Sequence, residues 1–150
     1  PCFNRPLRDG QKPHPFAMAV YYLADGLKKL RAVAAQIDPA GFTQEVVLWR
    51  GMQDLTLDQD EITTKGGTEL APMSTTTDLM VALEYSKSEF PFILKVRSSG
   101  FHDRGADISW LSAFPGEKEV LFPPLTYLKP TGRAEVVGQC TVVEVTPTLA

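Results

Sequence analysis

The chain has 150 residues, of which 43% are hydrophobic and 22% charged, a composition typical of one folded domain and not of a disordered chain. Fifteen lysines and arginines stand against eighteen aspartates and glutamates, and the net charge of −3 argues against nucleic acid or an anionic membrane as a partner. No apolar stretch approaches the roughly 20 residues of a membrane-spanning helix, so we expect a soluble domain without a membrane segment.

Metal-ligating side chains are scarce. The cysteines are Cys2 and Cys140, and the histidines, His14 and His102, have no His, Cys or acidic partner at ligand spacing. We therefore expect no metal cofactor. Because the chain begins at Pro1 rather than Met, we expect an excised domain, a processed product or a trimmed sequence. The compartment stays undetermined, with the cytoplasm as the default expectation.

The first half of the chain predicts two helices. Apolar residues recur at spacings of three and four from Phe16 to Ile37, which predicts one long helix. The segment Asp38-Pro39-Ala40-Gly41 is expected to end it. A second helix is predicted from Asp78 to about Ser88, with Thr76 or Thr77 as its N-terminal cap.

Strands dominate the second half of the sequence, and a Gly66-Gly67 turn and an irregular stretch at Phe101–Pro115 separate some of them. Early helices and late strands predict an α+β domain built on antiparallel sheets. We expect a single domain over residues 1–150, with residues 1–14 as an irregular leader. The predicted strands are Glu45–Arg50, Thr68–Thr75, Pro91–Arg97, Glu117–Phe122, Leu125–Leu128 and Glu135–Val145.

An arginine and a glycine end the first predicted strand. The guanidinium of Arg50 offers a planar fork of donors for a phosphate or a carboxylate, and Gly51 lets a ligand approach the backbone closely. The alternative is an ordinary ion pair at the edge of a sheet.

Four hydroxyl residues, Ser74-Thr75-Thr76-Thr77, stand where a predicted strand gives way to a helix. Helix capping alone would explain one or two of them. The remaining hydroxyl groups are therefore candidates for a polar site.

Two glutamates follow the sequence Phe114-Pro115-Gly116. If the chain is extended from Glu117 onward, Glu117 and Glu119 project from the same face of a strand. Carboxylates so placed repel each other and favour a nearby proton or cation, as a site that handles a developing positive charge requires. The alternative is a solvated acidic edge, but the apolar run Val120-Leu121-Phe122 anchors these residues to the core.

The order of an arginine strand, Ser-Thr-Thr and Glu-x-Glu resembles the R-S-E class of mono-ADP-ribosyltransferases, the arginine-specific kind related to vertebrate ecto-enzymes and many bacterial toxins. The resemblance spans about Trp49 to Leu128 and is strongest from Gly105 to Pro124, where it includes the family's target-recognition loop and catalytic strand. It implies an ADP-ribosyltransferase-like fold, in which helices precede and flank two packed, mainly antiparallel sheets around an NAD cleft. NAD would be the substrate.

The resemblance also implies how NAD is held. Arg50 would bind the NAD phosphates and the adjoining ribose, and the Gly51 backbone would pair with the nicotinamide amide. Ser74 would orient Glu119 and the nicotinamide ribose. Thr75 stands at the family's middle threonine. Thr76 stands where the family more often has serine, and no sequence pattern identifies the aromatic that stacks on nicotinamide, for which Phe90 and Phe92 are candidates.

For the reaction itself, the resemblance implies that Glu119 is the catalytic glutamate and that Glu117 confers arginine specificity. The segment from Trp110 to Gly116 would be the loop that meets the acceptor, and Phe114 would pack either on the target or in the core. Nicotinamide leaves NAD as a neutral molecule, so no histidine is needed as a general acid. The acceptor would be a protein arginine or a small guanidine.

Two other functions use the same fold. A NAD glycohydrolase would use Arg50, Ser74 and Glu119 with water as the acceptor. Loss of the glutamate or the arginine would indicate an inactive NAD- or protein-binding module, but all three positions are filled. An ordinary glycosidase is disfavoured, because its two carboxyl groups face each other across a sugar at about 5–9.5 Å, whereas two residues that are two apart on one strand lie side by side.

Overall fold

A mixed β-sheet of eight strands organises the residues that this computed structural model describes, 3–53 and 59–150. Hydrogen bonds join the strands in the order β2-β7-β8-β4-β1-β3-β6-β5. The β4–β8 pair is parallel and the others are antiparallel. The strands are β1 Val46–Met52, β2 Gly67–Glu69, β3 Met73–Thr76, β4 Phe92–Ser98, β5 Ala106–Asp107, β6 Glu119–Phe122, β7 Thr126–Val137 and β8 Cys140–Thr148.

The predicted α+β domain is confirmed, although the two packed sheets that we expected are hydrogen-bonded into one mixed sheet. Within the described residues, β1 and β3 pair only through Trp49 and Thr76, and this pair joins a five-stranded part to a three-stranded part. The two predicted sheets are therefore the two parts of one sheet, with a narrow junction between β1 and β3. This junction positions the candidate site.

Four helices flank the sheet in the described part of the chain: α1 Asn4–Arg8, α2 Ala17–Ile37, α3 Gln59–Lys65 and α4 Leu79–Ser86. The two helices predicted from the sequence are confirmed as α2 and α4. Helix α4 is capped by the Asp78 carboxylate, which accepts a hydrogen bond from the Met80 amide, and not by Thr76 or Thr77. The expected irregular leader contains α1, and α3 was not predicted, because its short polar sequence has no apolar periodicity.

Several predicted strands have different bounds. The expected strand Thr68–Thr75 is two strands, β2 and β3, and Leu125–Leu128 lies within the longer strand β7. The run Glu135–Val145 crosses from β7 into β8 through a turn at Gly138, whose positive φ of 64° suits glycine. One long hairpin therefore replaces two separate predicted strands.

The core lies where β1, β3, β4, β6 and β8 bring their apolar side chains together. Its fully buried members include Leu48, Met73, Phe92, Phe122 and Val145. Helix α2 adds the buried Leu27. Among the described residues, no helix is long and apolar enough to cross a membrane.

Candidate active site

A cleft of about 390 Å³ opens at the junction between β1 and β3, beside β6 and helix α4. It brings together Arg50, Gly51, Ser74, Thr75, Phe114, Glu117 and Glu119 from the predicted site, and Trp110 does not line it. The remaining lining residues are Trp49, Thr76, Val81, Ala82 and Tyr85. Three segments far apart in the sequence therefore meet in one polar cleft.

The Glu119 carboxylate is held by two serines. Strands β3 and β6 pair so that Thr76 lies opposite Glu119. Ser74 is two residues before Thr76 on β3, so its side chain lies on the same face of the sheet as Glu119. The Ser74 hydroxyl donates to Glu119 Oε1 at 2.7 Å, and the Ser112 hydroxyl donates to Oε2 at 3.2 Å. Each carboxylate oxygen thus has one donor, so the orientation of Glu119 is fixed before any ligand binds. The sequence analysis did not identify Ser112.

Arg50 lines the cleft, and its side chain is largely buried. Its Nη1 donates to the Ser74 carbonyl oxygen at 2.8 Å, and its Nη2 lies 3.7 Å from Glu69 Oε2. The pKa of Arg50 is lowered, mainly by burial. The negative charge of Glu69 raises this pKa, and the positive charge of Arg8 lowers it. Its buried Nε has no hydrogen-bond partner among the described residues. An anionic ligand such as a phosphate would supply that partner.

Glu69, which was not predicted from the sequence, forms an ion pair with Arg50. Its carboxylate accepts two hydrogen bonds from Arg8, at 3.0 and 3.1 Å, and one from the Ala71 amide at 3.0 Å. These bonds tie helix α1 to the end of β2. The contact joins residues 61 apart in the sequence, so no local pattern indicated it.

Glu117 reaches the cleft by a different backbone path from the one predicted. It ends a short 3-10 turn, Pro115–Glu117, and strand β6 begins only at Glu119. Between them Lys118 has a left-handed conformation, with φ of 48°. The assumption of an extended chain from Glu117 is therefore wrong, although both glutamates line the same cleft.

Tyr85, on helix α4, is a site residue that the sequence analysis missed. Its hydroxyl donates to Glu117 Oε1 at 2.9 Å. This hydrogen bond is the main reason that the pKa of Tyr85 is raised, and burial and the charges of Glu117 and Glu119 raise it further. The available signal was its place in the last turn of the helix that follows the Ser-Thr-Thr motif.

The threonines next to Ser74 fix the backbone. The buried Thr75 hydroxyl donates to the Val120 carbonyl at 2.7 Å, and the Thr76 hydroxyl donates to the Glu117 carbonyl at 2.6 Å. Thr76 also accepts from the Asp78 amide. Both threonines therefore lock β3 to the segment that carries the two glutamates.

Gly51 brings strand β1 close to helix α4. A Cβ atom at this position would lie 1.9 Å from the Ala82 carbonyl oxygen and 2.8 Å from the Ser86 amide nitrogen. No side chain fits between these two backbones. The glycine is thus required by packing at the wall of the cleft, apart from any contact to a ligand.

Aromatic side chains differ in their access to the cleft. Phe114 lines it and is 65% exposed, so a role in the core is excluded. Trp110, in the same loop, is 70% exposed and lies outside the cleft. Of the two candidates for nicotinamide stacking, Phe92 is fully buried in the core and Phe90 is exposed away from the cleft. Trp49, Tyr85 and Phe114 are the aromatic residues that line it.

Within the described part of the chain, no three His, Cys, Asp or Glu side chains are grouped so that they could hold a metal ion. The polar side chains that line the cleft include several hydroxyl groups, one guanidinium and two carboxylates. This set is suited to an organic ligand that carries both negative phosphates and a positive centre.

Solved structures of ADP-ribosyltransferases have the same fold. HopU1 of Pseudomonas syringae pv. tomato DC3000 matches with a TM-score of 0.70 and 20% identity, over 96% of this chain and 63% of that one. Exoenzyme S of Pseudomonas aeruginosa, bound to Carba-NAD and in complex with human 14-3-3 protein beta, matches with a TM-score of 0.61 and 20% identity, over 94% and 64%. Vis of Vibrio splendidus, in complex with agmatine, gives 0.55 and 24%, over 72% and 51%.

The predicted ADP-ribosyltransferase-like fold is therefore confirmed. The chain spans less than two thirds of the length of these three structures. Among curated proteins, no sequence match was found. The family profile described as NAD:arginine ADP-ribosyltransferase matches residues 3–144, and the chain belongs to that family. NAD, expected from the sequence as the substrate, is the substrate of this family.

Proposed function

We propose that this protein is a mono-ADP-ribosyltransferase that moves ADP-ribose from NAD to a guanidino acceptor and releases nicotinamide. One observation carries the proposal. Glu119, fixed by Ser74 at 2.7 Å, shares a single cleft with the buried guanidinium of Arg50 and with a second carboxylate, Glu117. This combination provides a phosphate anchor, a cation stabiliser and a proton acceptor.

Arg50 would bind the phosphates of NAD. Its guanidinium is already oriented by the Ser74 carbonyl, and its Nε is buried without a partner among the described residues. A phosphate oxygen there would satisfy the free donor and would add a charge-assisted hydrogen bond. The Glu69 carboxylate, 3.7 Å from Nη2, helps to hold the side chain in place.

Glu119 would stabilise the ribosyl cation. When the bond between ribose C1′ and the nicotinamide nitrogen breaks, the electron pair stays on nicotinamide, which leaves neutral, and positive charge develops on the ribose. A carboxylate held in advance by two hydroxyl groups stabilises that charge without reorganising. Ser74 and Ser112 are therefore part of the catalytic arrangement.

Glu117 would accept a proton from the acceptor. A guanidinium has a pKa above about 12 and is a poor nucleophile, so a base must take one of its protons as it attacks. One guanidinium proton passes to the Glu117 carboxylate, and the neutral nitrogen forms the new bond to C1′. The product is a substituted guanidinium, and Glu117 returns its proton to solvent.

The acceptor class is supported by the family and by two similar structures. Vis is described in complex with agmatine, a small guanidine, and exoenzyme S in complex with a protein. In this chain Glu117 is only half-buried and lines the cleft together with the exposed Phe114, so a guanidine can reach the carboxylate from solvent. We infer that the loop from Trp110 to Gly116 meets the acceptor.

The test is incubation of the protein with labelled NAD and agmatine. Putrescine, which carries an amine in place of the guanidine, is the matched control acceptor. The proposal requires label on agmatine and none on putrescine. Release of free ADP-ribose alone would make the protein a NAD glycohydrolase, and no nicotinamide release at all would make it a binding module.

A further inference from the structure

A hydrogen bond joins helix α4 to the carboxylate that the proposed reaction uses as a proton acceptor. The Tyr85 hydroxyl donates to Glu117 Oε1 at 2.9 Å. Tyr85 is held by the helix backbone, which packs directly on β1 at Gly51. The phenol is therefore a donor on a rigid element, whereas Glu117 lies at the end of a short 3-10 turn.

Among the described residues, different partners hold the main chain and the side chain of Glu117. The Thr76 hydroxyl donates to the Glu117 carbonyl oxygen at 2.6 Å and holds the backbone. The side chain has three rotatable bonds. Within the described residues, its carboxylate is held by the hydrogen bond from Tyr85. Glu119 differs, because Ser74 and Ser112 hold both of its oxygens without Tyr85.

We propose that Tyr85 is a positioning residue that directs ADP-ribose to the guanidino acceptor and away from water. The proposal rests on the proposed function. Tyr85 engages Oε1 of Glu117, which leaves Oε2 to accept the guanidinium proton. Tyr85 keeps its own proton throughout. Without this hydrogen bond the carboxylate samples other rotamers, the guanidine is bound and deprotonated less often, and water captures more of the ribosyl cation.

The experiment compares Tyr85→Phe with the unmodified protein in two assays, agmatine modification and NAD hydrolysis without agmatine. The variant keeps the ring and removes only the hydroxyl. We expect transfer to fall about tenfold, as the loss of one hydrogen bond to a charged group implies, while hydrolysis changes less than about threefold. Tyr127→Phe is the matched control, because its hydroxyl donates to the Lys65 carbonyl, away from the cleft, and its ratio of transfer to hydrolysis should stay unchanged.

A second comparison asks whether Tyr85 acts through Glu117. In a Glu117→Gln background, Tyr85→Phe should change neither NAD hydrolysis nor any residual transfer, because the carboxylate that it positions is already absent. An unchanged ratio of transfer to hydrolysis in the single variant overturns the proposal. So does an equal fall in both reactions, which would assign the hydroxyl to NAD binding.

The contact can also be measured without catalysis. A phenol that donates to a carboxylate has a raised pKa, so the NMR titration of Tyr85 should move toward lower pH in Glu117→Gln. If the unmodified protein has no transferase activity, the proposed function fails, and the positioning role of Tyr85 fails with it. The titration then still reports whether the two side chains are paired, and an unmoved titration in an active enzyme overturns the Tyr85 proposal alone.

Discussion

Ser74 contributes to the site through its hydroxyl, which donates to Glu119 Oε1 at 2.7 Å. Ser74→Ala removes this donor but leaves the negative charge of Glu119 and its second donor, Ser112. We predict that turnover falls roughly 10–10³-fold, because a preorganised hydrogen bond is lost from the site. Thermal unfolding should be nearly unchanged, because Ser74 is exposed. A large drop in melting temperature with full activity per folded molecule would assign Ser74 a purely structural role.

Arg50 contributes geometry as well as charge. Arg50→Lys keeps the positive charge but loses the planar fork, including the free Nε donor. We predict that the KM for NAD rises by more than kcat falls. Calorimetric titration with NAD gives the affinity directly. Unchanged NAD binding together with a collapse of turnover would show that Arg50 does not anchor the phosphates.

At the scale of elements, the close approach of strand β1 and helix α4 shapes one wall of the cleft. Gly51→Ala would place a Cβ atom 1.9 Å from the Ala82 carbonyl, so the helix must shift. We predict a loss of about 1–3 kcal/mol in the free energy of unfolding, comparable to overpacking of a core, together with a loss of activity. Chemical denaturation measures the first effect.

Gly26→Ala is the matched control for that change. Gly26 lies within helix α2, and a Cβ atom there meets nothing within 4 Å. Alanine is the better helix former, so this variant should be more stable by about 0.5–1 kcal/mol. If both variants lose stability equally, close packing at Gly51 is not the cause.

The elements show which features local sequence patterns can predict. Helix α2 follows from its apolar periodicity over 21 residues, and β4 follows from its β-branched and aromatic residues. The conformation of Glu117 did not follow, because a left-handed residue at Lys118 breaks the strand where no glycine signals it. The predicted strand Glu135–Val145 runs across the tip of the β7–β8 hairpin. Val136 and Val137 resemble residues of a continuous strand in the sequence, but they are mostly exposed near this tip.

At the scale of the whole molecule, the candidate site combines contacts of two kinds. Arg50, Ser74 and Glu119 belong to motifs that are recognisable in the sequence, and the fold brings them into one cleft. The contacts of Glu69 and Tyr85 join residues far apart in the sequence, 61 positions for Arg8–Glu69 and 32 for Tyr85–Glu117. Only the tertiary structure reveals such pairs, because no local sequence pattern links the two residues of a pair.

A charged cluster on strands β4, β7 and β8 links stability to pH. Burial raises the pKa of Glu144, but hydrogen bonds from Thr131 and Lys95 and the charge of Arg97 outweigh it, so the pKa lies below its ordinary value of 4.5. The ionised carboxylate is therefore favoured by folding. Its contribution to stability is complete above pH 4.5 and is lost as the pH falls through the folded-state pKa.

Glu144→Gln tests that linkage. We predict that the variant is less stable than the unmodified protein at pH 7, and that the difference in the free energy of unfolding shrinks as the pH falls below 4.5. Denaturant unfolding across this pH range measures it. Glu135→Gln, at an exposed position on β7, should leave stability nearly unchanged throughout. A difference for Glu144→Gln that is constant with pH would contradict the assignment.

The central claim is that the two glutamates of the cleft perform different steps, and a paired assay of Glu119→Gln and Glu117→Gln tests it most directly. Agmatine modification and nicotinamide release are measured on each variant under identical NAD. Glu119→Gln should lower both by several orders of magnitude, because both pass through the ribosyl cation. Glu117→Gln should abolish transfer and keep nicotinamide release. Full transfer by Glu117→Gln would contradict the arginine-specific mechanism, and full nicotinamide release by Glu119→Gln would contradict ADP-ribosyl transfer in this cleft.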